Sequence, residues 1–338
     1  MASHPTVVNL KARELLKQHP NLPSRTAGRM LLQKYPGIYR SIIHATGVVK
    51  YVRGLNGVRS RKSSSKCADP QLIRPPGWLD DMGWQKPEMP ETLAERRKDF
   101  VLSKGRVMLL SDIHIPYHDK AALELAVAHG RKLKPDVVYL NGDVADFYAV
   151  SDHDKDPSRS FKHELDMVRQ FLFWLRGQFP QARIIYKTGN HEYRMERYLR
   201  KNAPVLLGMT EFHLPKLLRF EHMGIEHVES LQVCRMGKLP VLHGHELAKG
   251  GGVNPARWLW LKLDETAFCG HFHSTSEHIA ATGLKKKILN CWSVGCLCDL
   301  TPDYALTNRW NHGFAEIEIA SGGDFEVTNR KVIHHKIY

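Results

Sequence analysis

Five short apolar runs in this chain each break directly into a polar cluster of potential metal ligands. That pattern restricts the fold more than any other feature. Residues 107–110 lead into Ser111-Asp112-x-His114, and residues 137–140 lead into Asn141-Gly142-Asp143-x-x-Asp146. Residues 184–186 precede Thr188-Gly189-Asn190-His191-Glu192, residues 239–242 precede His243-Gly244-His245, and residues 267–269 precede Gly270-His271-x-His273. Runs of this length bounded by turn residues read as buried strands. Between them, residues 119–134 and 162–178 have helical periodicity, the second with Leu165, Val168, Phe171, Leu172 and Leu175 on one face. Past residue 285 the pattern turns strand-rich, over 286–294, 314–319 and 325–332. Strands alternating with helices predict an α/β domain, and polar residues at strand C-terminal ends mark where such sheets carry their active sites.

The ligand chemistry is specific to a class of ion. Asp-x-His at a strand end can point both side chains at one cation, because the chain is leaving the sheet there. Mixed carboxylate, amide and imidazole donors suit Mn²⁺, Fe or Zn²⁺ better than Ca²⁺. The glycines let backbone turn sharply and approach ions and substrate closely. The six cysteines, at 67, 234, 269, 291, 296 and 298, are expected to be reduced and structural, and Cys291, Cys296 and Cys298 lack the paired spacing of a zinc site.

At 338 residues, 42% hydrophobic and 25% charged, the composition is that of a globular chain, and no apolar run approaches the ~18 residues of a membrane helix. With Lys11, Arg13 and Glu14 among its first apolar residues, the N-terminus does not read as a secretory signal, so a cytoplasmic protein is expected. Charge is concentrated at the front. Residues 1–66 hold 13 Lys+Arg and one acidic residue, a net +12, whereas the remaining 36 basic and 34 acidic residues give +2. Such asymmetry points to a basic module facing nucleic acid.

That module, residues 1–58, reads as three short helices. Leu10, Leu15 and Leu16 share one side of the first. Ser24 is the expected cap of the second, which carries Met30, Leu31 and Leu32. Ser41 is the expected cap of the third, with Ile42, Ala45, Val49 and Val52 inward. Arg40, His44, Lys50 and Arg53 are then expected to be exposed on the last helix, as in a helix-turn-helix, with a basic bundle docking on protein as the alternative. Residues 54–66, rich in Gly, Ser, Arg and Lys, read as flexible. The stretch 59–105 is expected to be a linker with an irregular segment packing through Trp78 and Trp84, followed by a catalytic domain over 106–338.

The ordered set Asp-x-His, Gly-Asp-x-x-Asp, Gly-Asn-His-Glu, His-x-His and Gly-His-x-His resembles the calcineurin-like metallophosphoesterases. The match covers about residues 106–275 by motif, and the layout is similar to a phage-encoded subgroup with a basic helical N-terminal region. The resemblance implies an α/β fold, a two-sheet β-sandwich flanked by helices, with the small N-terminal all-α module added. It implies two divalent metal ions, Mn²⁺ first among them, with Fe, Zn²⁺ or Ni²⁺ as alternatives. Asp112, His114 and His273 would hold the first and Asn190, His243 and His271 the second, with Asp143 bridging. His245 is the alternative to His243. His191 would stand beside the leaving group, oriented by Asp146.

Such a centre activates a water as hydroxide and hydrolyses a phosphoester. Coupled to the basic module, it implies a nuclease or phosphodiesterase. A phosphatase or phosphodiesterase of proteins or small nucleotides is one alternative, and a DNA-binding protein on an idle phosphoesterase scaffold is the other. Arg194, His118 and His245 are candidate substrate contacts. Trp292, Trp310 and His312 are candidates for a wall that stacks a base. Loops 144–162 and 246–258 are expected to shape the pocket. A phage-encoded enzyme would work in the host cytoplasm.

Overall fold

A computed structural model describes residues 6–58, 60, 89, 91–94, 97–247 and 250–338. The chain falls into two units, Met1–Ala94 and Glu95–Tyr338. The expected packing through Trp78 and Trp84, and Cys67, lie outside the described residues.

In the first unit, α1 (Val7–Gln18), α2 (Ser24–Lys34) and α3 (Ile42–Val52) enclose a small core of Ala12, Leu15, Leu16, Ala27, Leu31, Tyr39, Ala45 and Val49. Ala12, not the exposed Leu10, completes the buried side of α1. Ser41 caps α3, accepting the His44 N–H at 3.1 Å. Ser24 is already inside α2 and makes no cap; its hydroxyl instead accepts from the Arg53 guanidinium. That guanidinium also donates to the carbonyls of Pro20 and Leu22, so Arg53 ties α3 to the α1–α2 connection and is not a free surface cation. His44 is half-buried, its Nδ1 accepting the Arg40 N–H, whereas Arg40 and Lys50 are exposed. Of the stretch 54–66 expected to be flexible, residues 54–58 and 60 are described, and there the chain turns back on α3: Ser60 is buried and donates to the Tyr51 carbonyl at 2.7 Å.

The second unit is a sandwich. Six strands form one sheet in the order β1 (Phe100–Leu102), β6 (Cys234–Met236), β7 (Leu239–Leu242), β8 (Ala267–Cys269), β10 (Ile288–Ser293), β9 (Ser276–Ala281). Seven form the other in the order β13 (Lys336–Ile337), β12 (Phe325–Ile333), β11 (His312–Ile319), β2 (Gly105–Leu110), β3 (Val137–Leu140), β4 (Arg183–Lys187), β5 (Ile225–Val228). Side-chain alternation along β2 explains the layering. Val107 and Leu109 join Tyr139, Ile185, Val241, Phe268 and Ile317 in the core between the sheets. Met108 and Leu110 face the other way, into a core with α4 (Lys120–Leu133), α5 (Phe161–Gln178) and α6 (Tyr193–Asn202). Helix α7 (Pro255–Leu263) covers the outer face of the six-stranded sheet through Ala256 and Leu259.

This is the expected two-sheet α/β sandwich flanked by helices. It starts earlier than residue 106, because β1 pairs in parallel with β6. Among the described residues, no helix is long and apolar enough to cross a membrane.

Strands β2, β3, β4 and β5 run parallel in one sheet, and β7, β8 and β10 run parallel in the other. Their C-terminal ends deliver all five ligand-bearing clusters.

Candidate metal centre

The loops leaving these strands are held in a backbone conformation that most residues avoid. Asp112, His114, Asp143, His271 and His273 all have positive φ, between 52° and 68°. Left-handed backbone costs a residue with a Cβ on the order of 1 kcal/mol or more, and it persists where surrounding structure and function demand it. Two glycines permit the close packing behind them. A Cβ on Gly189 would lie 2.1 Å from Asp143 Oδ1, and one on Gly270 would lie 2.2 Å from Ser111 Oγ.

The turned loops aim acceptor atoms at one another. His243 Nδ1 lies 2.7 Å from the carbonyl of Asn141, so its N–H donates there and Nε2 carries the lone pair. That Nε2 faces Asp143 Oδ2 at 3.2 Å and Asn190 Oδ1 at 3.1 Å, with His271 in the same cluster. His114 Nδ1 faces Asp146 Oδ1 at 3.2 Å, which turns its Nε2 lone pair toward His273 Nε2, also at 3.2 Å. Asp112 Oδ1 lies 3.2 Å from His273 Nε2, is fully buried, and has no hydrogen-bond partner among the described residues. Asp143 Oδ2 stands between the two groups, 4.0 Å from His114 Nε2.

Buried acceptors facing acceptors are costly unless protons or cations lie between them. The donor set, imidazole nitrogens with carboxylate and amide oxygens, fits two divalent transition-metal ions. Protons are the substitute when no cation is bound. Burial opposes a charge on His243, but Asp143 outweighs it and pushes the imidazole up to about 10. Burial would likewise raise Asp143, yet His243 and His191 hold it well below the usual carboxylate range. At His271 burial and the charge on His243 outweigh the Asp143 and Asp112 carboxylates, and the imidazole is pulled down to about 4.

Beside this cluster, His191 Nδ1 approaches Asp146 Oδ1 at 3.0 Å and the Asp146 carbonyl at 2.9 Å. Burial alone would raise Asp146; hydrogen bonds from His114 and His191 overcome it and hold the carboxyl low. One carboxylate thus positions both imidazoles. Arg194 donates to the Asp146 carbonyl at 2.8 Å and to His191 Nε2 at 3.0 Å, so here its guanidinium is engaged with the candidate acid rather than open to solvent.

The remaining candidates separate. His245 turns away, its Nε2 2.8 Å from Ser230 Oγ, which leaves His243 as the histidine of that pair facing the centre. His118 is half-buried in the loop after His114 and stands outside the metal-ligand clusters. Trp292 is buried in the inter-sheet core against Phe325 and cannot line a wall. His312 Nε2 is tied to the Cys298 carbonyl at 2.9 Å. Trp310 packs edge-on to His273, centroids 4.2 Å apart.

Three supporting groups went unread in the sequence. Glu192 accepts from the N–H groups of Asp143, Val144, Ala145 and Gly189 and from Tyr186 Oη, at 2.7–3.1 Å, stitching the β3 and β4 loops together. Lys187, fully buried at the end of β4, pairs with Glu246 at 2.9 Å, and Glu246 in turn accepts the N–H groups of His243 and Gly244. A lysine closing an apolar strand, and a glutamate following His-x-His, were the available signals. Cys298 Sγ lies 3.8 Å from His273 Nδ1, a contact with no sequence signal. Cys234, Cys269, Cys291, Cys296 and Cys298 are buried and free.

The Gene 54 protein of Mycobacterium phage L5 is 26% identical over 232 residues, covering 63% of this chain and 89% of the relative. The Gene 54 protein of Mycobacterium phage D29 is 26% identical over 236 residues with the same coverage. Among solved structures, vacuolar protein sorting 29 from Cryptosporidium parvum (16% identical, 70% of this chain and 95% of that one) superposes with a TM-score of 0.36. A dimetal phosphatase from Danio rerio (10% identical, 67% and 96%) gives 0.33. Residues 105–293, which hold every strand-end cluster, match the profile of the calcineurin-like phosphoesterases, and the chain belongs to that family.

Proposed function

We propose that this chain is a metal-dependent phosphodiesterase that cleaves nucleic acid. The observation that carries the hydrolytic part is the set of lone pairs, buried on Asp112, His114, Asp143, His243 and His273 and half-buried on Asn190 and His271, that face one another with no donor between them among the described residues. Two divalent cations held there, Mn²⁺ on this reading, would polarise a phosphoryl oxygen and acidify a water for attack on phosphorus.

The chain's own residues supply the rest. Asp146 fixes the ring of His191. Protonated His191 donates from Nε2 to the departing oxygen. That requires the Arg194 guanidinium to leave Nε2, and a phosphoryl oxygen, which accepts bidentately from Arg, is the group that draws it away.

Nucleic acid is favoured as substrate by the first unit, where Lys17, Arg25, Arg29, Lys34, Arg40 and Lys50 are all exposed on a three-helix scaffold. Five buried free cysteines are in keeping with work in a reducing cytoplasm.

The test is turnover by the full chain with Mn²⁺ on single- and double-stranded DNA, beside p-nitrophenyl phosphate and its bis-ester. DNA cleavage whose affinity falls steeply with salt is expected. Turnover of the small esters with DNA neither bound nor cut would overturn the substrate assignment.

A further inference from the structure

A line of aromatic rings runs outward from the metal centre. His273, a candidate ligand, is packed edge-on by Trp310 at 4.2 Å between centroids, and Trp310 is met in turn by Tyr304 at 6.2 Å. Trp310 is half-buried, whereas Tyr304 is 76% exposed on a single 3₁₀ turn, Asp303–Ala305. Isolated surface aromatics are ordinary. This one is not isolated: it is the solvent end of a braced series whose inner end is a metal ligand.

Charge of both signs accompanies the rings: Arg309 is exposed next to Trp310 and Asp303 next to Tyr304. The segment is also tied to the His114 loop, since the Asp299 N–H donates to the Tyr117 carbonyl at 2.8 Å. On that side, the Arg159 guanidinium lies over the rings of Tyr117 and Tyr148, 5.2 and 4.5 Å from their centroids, beside a cavity of roughly 430 Å³. Aromatic rings interleaved with arginine are how proteins hold single-stranded nucleic acid, with bases stacking on rings and cations meeting the backbone.

We propose that Tyr304, braced by Trp310, is a stacking platform for a base of the substrate strand next to the scissile phosphate, which makes the preferred substrate single-stranded. The inference rests on the nucleic-acid reading above and adds to it a base-recognising subsite. Removing a stacked ring costs roughly 5- to 150-fold in affinity for the base.

The experiment compares kcat/KM of the Mn²⁺-loaded full chain on a single-stranded oligonucleotide and on the same strand with abasic sugars. Wild type prefers the base-bearing strand. Tyr304→Ala reduces that preference roughly 5- to 150-fold. Tyr304→Phe, which keeps the ring, restores it. Equal efficiency of wild type on both strands, or equal losses on both in Tyr304→Ala, would overturn the platform while leaving the substrate class intact. Failure of wild type to cut either strand, with the bis-ester still hydrolysed, would overturn the substrate class and the platform with it.

Discussion

Replacing Glu192 with glutamine tests whether the metal centre is held by one buried carboxylate. Glu192 is 2% exposed and accepts five hydrogen bonds. Oε1 takes the N–H groups of Val144 and Ala145 and the Tyr186 hydroxyl, and Oε2 takes those of Asp143 and Gly189. Glutamine fits the same volume but keeps only one oxygen. With that oxygen in the Oε1 position, its amide NH₂ meets the Asp143 and Gly189 N–H groups, donor against donor. Each buried donor left unsatisfied costs about 1–3 kcal/mol, so the variant loses about 2–6 kcal/mol. For a unit of this size each kcal/mol shifts Tm by about 2–4 °C, giving a fall of about 4–24 °C. Asp143 and Asn190 flank the lost bonds, so Mn²⁺ affinity falls as well. Calorimetry with and without Mn²⁺, and titration of Mn²⁺ into the chelated protein, read both effects. Glu196→Gln, at an exposed pair with Arg200, is the control and is expected to stay within about 0.5 kcal/mol. A Glu192→Gln protein with wild-type Tm and wild-type Mn²⁺ affinity would refute the argument.

Glu164 gives a pH signature. Burial pushes it up to about 8, so its contribution to stability is complete below the ordinary carboxyl value and is lost as pH rises toward 8, on the order of 5 kcal/mol in all. Glu164→Gln should flatten unfolding free energy against pH across that window, and a slope like wild type would count against the assignment. Arg53→Ala should destabilise the three-helix unit by roughly 2–4 kcal/mol, since it removes bonds to Pro20, Leu22 and Ser24, while Lys50→Ala should leave its denaturation midpoint in place. Helical circular dichroism during urea unfolding distinguishes them. His191→Ala should lose about 10²- to 10⁴-fold in kcat with its metal content retained, whereas Asp143→Ala should lose both. A metal-free His191→Ala protein, by elemental analysis, would contradict the division of roles.

The parts of the fold that sequence reveals are those whose cause is local. An apolar run of three or four residues followed by Gly and a ligand side chain is a strand and its exit, and strands such as Val137–Leu140 and Ala267–Cys269 appear where their own residues put them. The edges of the sheets escape this logic. β1 is three residues long and lies at the edge, held by the pairing of Phe100 with Cys234 across more than a hundred positions. Direction escapes it too. Arg53 and Arg194 both read as cations free for phosphate, yet each guanidinium folds onto carbonyls presented by a distant loop, Pro20 and Leu22 in one case and Asp146 in the other.

The supporting shell of the metal centre is hidden for the same reason. Lys187 and Glu246 are unremarkable letters until β4 and β7 bring them to 2.9 Å in the interior. There is still a physical handle on such pairs. A fully buried ammonium is expensive unless compensated, so a lysine closing an apolar strand predicts a buried carboxylate somewhere in the chain. Here that carboxylate holds the backbone of His243. Breaking the Lys187–Glu246 pair should therefore reach the metal site through that backbone, although neither residue is a candidate ligand.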